Sequence, residues 1–352
     1  MENPPQQFAP PMSTAVLEKV LEKVLGRLTS VCIQVATVGL DLPERLKDGP
    51  RSIDALAAEI GGERDVLLLF MRALTSESIF QEVEPGVFAH TEESRYLLRD
   101  APHSLHGIAE MLGADWASKV WEPDEVLHTI RTGQPAFEHV FGQDIWSYMT
   151  ANRDQYAVFS RAQTIFSGPK DDAIVEAYDF EGVKTLVDLG GGEGTFLEKI
   201  LLKHPGIEGV LFDLPPVVEQ ARARIAGSAV ADRYTCVGGS FFDGVPAGAD
   251  AYVLKQVLHD WSDDESVEIL RRVREVLPPS GRILVAAHLV PAPPRRPLKY
   301  LMAGMWVRLN TPGGYERTEQ EFRDVLDRAG LELVRIHPTA STHSILETRA
   351  AD

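Results

Sequence analysis

The chain has 352 residues, 44% hydrophobic and 25% charged, enough for two or three domains with a large buried core. Its formal net charge of -17 argues against a nucleic-acid partner, because phosphate binding needs clustered Lys and Arg. Two cysteines, Cys32 and Cys236, are too few for a disulfide framework or a Cys-based zinc site. No apolar run approaches the roughly 18 residues of a membrane span, so the expectation is a soluble, cytoplasmic protein with no membrane partner.

Residues 1–13, rich in Pro, Gln and Asn, are expected to form a disordered arm. A helical pattern then runs over 14–46, apolar at Val20, Leu21, Val24, Leu25 and Leu28 and again from Val31, with Gly39 interrupting it. Ser52 can cap a short helix through Ile60, and Gly61-Gly62 breaks it. A second helix spans 63–75, and 80–83, Pro85-Gly86 and 87–90 read as a hairpin. Helix, turn, helix and wing over 14–105 make a winged-helix-like domain. Such a domain serves DNA binding or dimerisation. Residues 1–100 carry ten Lys and Arg against sixteen Asp and Glu, which favours dimerisation.

Residues 106–165 read as a helical linker and substrate-pocket region, rich in aromatics such as Trp116, Trp146, Tyr156 and Phe159. From 166 to 352 the pattern becomes α/β, with short apolar runs at 184–189, 208–213, 233–238, 250–255, 282–287, 331–337 and 343–348 between amphipathic helices. This predicts a Rossmann-like, mostly parallel seven-stranded sheet covered on both faces.

The segment Val187-Asp188-Leu189-Gly190-Gly191-Gly192-Glu193-Gly194-Thr195 follows a strand and opens a helix, so its glycines let backbone approach a ligand. The spacing departs from the dinucleotide fingerprint, because Thr195 stands where the third glycine would. Asp188 is awkward for a pyrophosphate and suits a cationic ligand. Asp213, closing the next strand, can take both ribose hydroxyls, as it could in a nicotinamide enzyme. Together these features favour an adenosyl group with a positive tail. His259 lies just past a later strand end, where open sheets bind ligands. There it is either a general base or a helix-capping or core histidine. The acids Asp260, Asp263, Asp264 and Glu265 suit the first turn of a helix better than a divalent metal, so no metal is expected.

The glycine turn, FDLPPVVEQA, GGSFF, LHDWSDDE and GGYERTEQEF, in this order and spacing, resemble the small-molecule O-methyltransferases of plant caffeate-type and bacterial natural-product pathways. The resemblance covers nearly the whole chain and implies a homodimer using S-adenosylmethionine. It implies that Gly190 and Gly192 cradle the methionine part, that Asp213 holds the ribose, and that Leu214, Ser240 and Phe241 meet the adenine. Lys255 would contact the donor, His259 would be the base, and Glu316 one of two acids orienting it. Trp116, Phe166, Met302, Trp306 and Asn310 are candidates to shape an aromatic substrate's pocket. Three departures stand out. Ser240 replaces a usual Asp, Ala287 replaces the second orienting acid, and Arg161-Ala162-Gln163-Thr164 replaces a stretch that often carries Met. The implied reaction is methylation of a phenolic or enolic hydroxyl. Ala287 keeps an alternative open, in which a relative uses the donor for hydroxylation, decarboxylation or cyclisation.

Overall fold

The computed structural model describes residues 14–291 and 298–351; the arm expected at 1–13 lies outside the described residues. The chain divides into two compact units, one ending at Gly113 and the other beginning at Ala114.

In the first unit, α1 (Thr14–Gln34) runs into a single π turn, Val35–Gly39, closed by the Leu40 N–H donating to Val35 O at 2.8 Å. The break at Gly39 thus divides the 14–46 pattern in two, and α2 (Leu42–Arg45) restarts with Pro43 in its first turn. The Ser52 hydroxyl accepts from the Ala55 N–H and starts α3 (Ile53–Ile60), which left-handed Gly61 ends. After α4 (Arg64–Ser76), β2 (Phe80–Glu84) and β3 (Val87–His90) form the hairpin, with β1 (Arg51–Ser52) added in the order β1-β3-β2. Leu56, Met71, Leu74, Phe80 and Phe88 are fully buried at the centre. The short α5 (Glu92–Arg95) follows, and α6 (His106–Gly113) packs on α1 and the π turn. That packing moves the boundary expected at 105/106. Residues 106–113 belong to this unit, and the remainder of the expected linker belongs to the next.

The second unit opens with α7 (Asp115–Lys119), α8 (Pro123–Thr132), α9 (Ala136–Phe141), α10 (Ile145–Ala151) and the long α11 (Arg153–Ala177). Then β4 (Thr185–Leu189), α12 (Thr195–Lys203), β5 (Glu208–Asp213), α13 (Pro215–Ile225), β6 (Tyr234–Gly238) and β7 (Ala251–Lys255) alternate. They are followed by α14 (Asp263–Val276), β8 (Arg282–His288), α15 (Leu298–Asn310), α16 (Glu319–Arg328), β9 (Leu331–Pro338) and β10 (His343–Ala350). The seven strands lie in the order β6-β5-β4-β7-β8-β10-β9. β4 to β8 are parallel, and β10 runs antiparallel to both its neighbours. Side chains alternate across the sheet. Leu186, Leu211 and Val253 enter one apolar core, while Val187, Leu189, Tyr252 and Leu254 enter the other. The chain order reverses between β4 and β7, which places a crevice outside their C-terminal ends. Among the described residues, no helix is long and apolar enough to cross a membrane.

Candidate active site

A cavity of about 260 Å³ lies at that crevice, walled by the loops after β4, β5, β6 and β7 and by α10 and α11. Gly190, with φ 69°, turns the chain where a Cβ would come within 2.8 Å of Val257. At Gly191 a Cβ would meet Asp188 and Leu211 at 2.5 Å, so this middle glycine, outside the fingerprint, is as constrained as its neighbours. Asp213 accepts from the Gly192 N–H at 2.8 Å and the Leu214 N–H at 2.7 Å. Burial nevertheless pushes its carboxyl up to about 6, against those two donors. Each oxygen keeps a lone pair, and Asp213 and Leu214 both line the cavity.

Asp188 requires a correction. It was expected to face a cationic ligand, but it is fully buried and lies outside the cavity wall. Strand alternation puts it on the face of Leu186, beneath the glycine bend. Among the described residues neither carboxylate oxygen has a hydrogen-bond partner, and burial pushes the group up to about 7.

Ser240 and Phe241 line the cavity together with Phe242 and Trp261. Phe242 and Trp261 meet edge-on at 4.8 Å and give this end of the cavity an aromatic wall. Lys255 also lines the cavity, but its ammonium is already committed, 2.7 Å from Asp171 on α11, a carboxylate only 1% exposed.

His259 sits in a short turn after β7, on the cavity wall. Its Nδ1–H donates to Glu316 Oε1 at 2.8 Å, and its Nε2 is 3.5 Å from Asp260 Oδ1. Burial alone would lower the imidazole's pKa. The Asp260 and Glu316 carboxylates outweigh it and raise His259 to about 9. Against its own burial, Glu316 is held below the usual glutamate range by His259, whereas burial pushes Asp260 up to about 6. Ala287 is buried in β8 and carries no acid. Asp260, read from sequence as one acid of a helix start, is therefore the second carboxylate beside the imidazole. The rest of that run is engaged elsewhere: Asp263 with Arg317 and Tyr315, Asp264 with Arg328, and Glu265 in a capping box with Ser262.

None of the five substrate-pocket candidates lines this cavity. Trp116 is fully buried and sits edge-on to Phe159 and Trp306, one layer behind the wall. Asn310 is 2% exposed and donates to Trp306 O, while Phe166 and Met302 are 42% and 49% exposed. The wall on that side is instead Trp146, Met149, Tyr156, Phe159, Gln163 and Thr164. Sequence reading also missed Arg153 and Gln256, both on the wall. No motif marks Arg153. Gln256 lies inside the LKQVLHDW run but carries no signature of its own.

A doubly wound sheet with a glycine bend, a buried acid after β5 and a carboxylate-held histidine after β7 defines the nucleoside-dependent group-transfer class. Residues 124–332 match the O-methyltransferase domain, and residues 21–100 match the O-methyltransferase dimerisation domain. The chain is 36% identical to a phenazine O-methyltransferase of Lysobacter antibioticus over 94% of this chain and 95% of that protein. It is 34% identical to a mitomycin biosynthesis 6-O-methyltransferase of Streptomyces lavendulae, over 100% and 99%. An O-methyltransferase from neocarzinostatin biosynthesis, solved with S-adenosylmethionine and 2-hydroxy-5-methyl naphthoic acid, superposes with a TM-score of 0.80 at 29% identity, covering 92% of this chain and 96% of that one. The chain belongs to the O-methyltransferase family and is an S-adenosylmethionine-dependent O-methyltransferase of the natural-product kind. The non-methylating alternative that Ala287 left open is not favoured.

Proposed function

We propose that this enzyme methylates a phenolic or enolic hydroxyl of a small aromatic molecule, with His259 as the base, working as a cytoplasmic homodimer. The observation that carries the reading is the pinned imidazole: Glu316 occupies Nδ1 at 2.8 Å, which leaves Nε2, 3.5 Å from Asp260, as the nitrogen that can take a proton. The bend at Gly190–Gly192, the free lone pairs of Asp213 and the aromatic wall of Phe241, Phe242 and Trp261 suit an adenosyl donor. When bound, S-adenosylmethionine supplies an electrophilic methyl on a sulfonium sulfur. His259 would take the hydroxyl proton as the oxygen forms its bond to that methyl, the carbon–sulfur bond breaking to release S-adenosylhomocysteine. A phenol near pKa 10 and an ordinary imidazole near 6.5 leave that transfer uphill by roughly 5 kcal/mol. The carboxylates of Glu316 and Asp260 strengthen the base and shrink this gap. Closely held reactants can supply about 7–11 kcal/mol of the remaining barrier. Of the relatives named above, one is a phenazine O-methyltransferase and another was solved with a naphthoic acid, which supports an aromatic acceptor here. Incubation with labelled donor and a panel of phenols tests the reading. Label on an oxygen of one acceptor supports it, and label on carbon or nitrogen only, across the panel, defeats it.

Asp213→Ala weakens donor binding by roughly 10²-fold in calorimetry, since two charge-assisted hydrogen bonds to the ribose are lost. In the parent enzyme the carboxylate form must be present. Because burial pushes the Asp213 carboxyl up to about 6, donor affinity falls as pH drops below that value.

The dimer reading rests on the dimerisation domain and on α1, whose Leu21, Val24, Leu25 and Leu28 are 53%, 70%, 44% and 63% exposed in the single chain. Free Cys32 and Cys236 suit a reducing compartment. Leu28→Asp is expected to halve the mass seen by light scattering, because a charge cannot be buried unpaired in such a face.

A further inference from the structure

Gln256 is a non-glycine residue in the left-handed region, with φ 55°, and lies on the cavity wall. Left-handed backbone is costly for a residue with a Cβ and persists where neighbours over-determine it. The neighbours here are specific. The Gln256 N–H donates to Ala286 O at 3.0 Å, tying the turn to β8. The Ser167 hydroxyl on α11 donates to Gln256 Oε1 at 3.4 Å. One turn further along the same face of α11, Asp171 holds Lys255. Two consecutive residues at the end of β7 are thus clasped by an i, i+4 pair, which fixes both side chains three and four residues ahead of His259. With Oε1 engaged, the Nε2 amide group has no protein partner among the described residues, and two N–H donors remain for a ligand.

The charge around this donor selects its partner. Asp260 shares the wall, Glu316 stands behind His259, and the ammonium of Lys255 is spent on Asp171. Arg153 lines the cavity fourteen residues before Ser167, which is about 21 Å along α11. An anionic substituent near Gln256 would face the carboxylates of Asp260 and Glu316, and the nearby Lys170 ammonium lies off the cavity wall and already sits in the field of Glu316 and Asp171. A carbonyl oxygen would find an N–H donor.

We infer that Gln256 is the specificity-determining residue for the acceptor, its side-chain amide donating to an uncharged carbonyl-type group beside the hydroxyl that is methylated. This rests on the methyl-transfer reading above and adds the acceptor's chemistry to it. The experiment compares three acceptors: a naphthol, the same naphthol with a methyl ketone next to the hydroxyl, and its carboxylate counterpart. Each is assayed with parent enzyme, Gln256→Ala, Gln256→Gly and Gln256→Asn. The parent prefers the ketone over both others in kcat/KM by roughly tenfold or more. That preference collapses in Gln256→Ala and equally in Gln256→Gly, which keeps the left-handed turn but lacks the amide. Gln256→Asn, which tolerates the turn and retains an amide, restores part of it. A parent that prefers the carboxylate or the bare naphthol overturns the inference, as does a ketone preference that survives in Gln256→Ala. A preference lost in Gln256→Ala but kept in Gln256→Gly also overturns it, since turn geometry alone would then be responsible. Should the parent transfer a methyl to none of the three, nor to any member of the wider phenol panel, the methyl-transfer reading fails together with it. Turnover elsewhere in that panel, without these three, overturns the assignment to Gln256 alone.

Discussion

His259→Ala cuts turnover by roughly 10²–10⁴, the usual contribution of a positioned general base. The loss falls on kcat rather than on donor affinity, since the groups suited to the adenosyl part, Asp213 and the glycine bend, lie on other loops. The pH dependence gives an independent signature. With carboxylates on both sides, His259 titrates near 9 in the free protein, so at pH 7 the imidazolium predominates, and only the neutral ring can accept a proton. Activity therefore rises with pH. A sulfonium beside the ring disfavours the imidazolium, so the rise in the donor complex is centred below 9. His259→Ala removes this limb altogether, and a flat profile in the parent enzyme would deny His259 the base role. Glu316→Gln removes one charge, moves the limb further to acid and loosens the ring's aim. The same elevation has a stability consequence of definite sign. The folded state holds the His259 proton more tightly than the unfolded chain. The stabilisation is therefore complete below about 6.5 and is lost as pH rises through about 9.

Sequence carried the catalytic half of the fold almost to the residue. The run 208–213 is Glu208–Asp213, and 282–287 is one residue short of Arg282–His288. The reason is physical: parallel strands covered on both faces must be continuously apolar, and such runs stand out between amphipathic helices. His259 and Glu316 were legible only through the ordered motifs, since nothing local says that residues 57 positions apart share a hydrogen bond. For the same reason Asp171 with Lys255, 84 positions apart, and Ser167 with Gln256, 89 apart, left no trace. Asp260 was misread because one acid two residues before a helix cap looks like the helix-start acids that follow it. Its place in the turn Leu258–Asp260 puts it beside the imidazole instead. The aromatics of the helical region failed differently. Trp116 and Trp146 both sit on short helices, and only tertiary packing makes one core and the other wall. Along α1 the apolar stripe marked a helix but not what covers it: Val24 and Leu28 stay exposed in the single chain, and a sequence does not distinguish an internal core from an intersubunit one.

Arg317→Ala should cost about 3–5 kcal/mol of stability and abolish activity, although Arg317 lies outside the cavity wall. Its guanidinium is 1% exposed and spends its donors on the turn that carries the base. Nη1 donates to Leu258 O at 2.6 Å, and Nη2 to Trp261 O at 2.9 Å and Ser266 Oγ at 3.2 Å. Nε donates to Asp263 Oδ1 at 3.0 Å. Asp263 is 41% exposed and can turn to water, so the ion pair is the smaller part of the loss. The larger part is two carbonyls, of Leu258 and Trp261, that lose the guanidinium and keep only longer contacts such as the Ser266 hydroxyl at 3.3 and 3.5 Å, beside a cavity the size of the missing side chain. These carbonyls flank His259, and Arg317 directly follows Glu316. One side chain thus fixes both ends of the base–acid pair, and its removal frees the imidazole from its aim. Thermal unfolding should show a fall of roughly 6–20 °C, and Arg317→Lys a smaller one, since an ammonium cannot reach both carbonyls and the carboxylate in a fixed fork. A folded, equally stable Arg317→Ala with normal turnover would mean that the turn holds its shape through the Ser262–Glu265 cap alone.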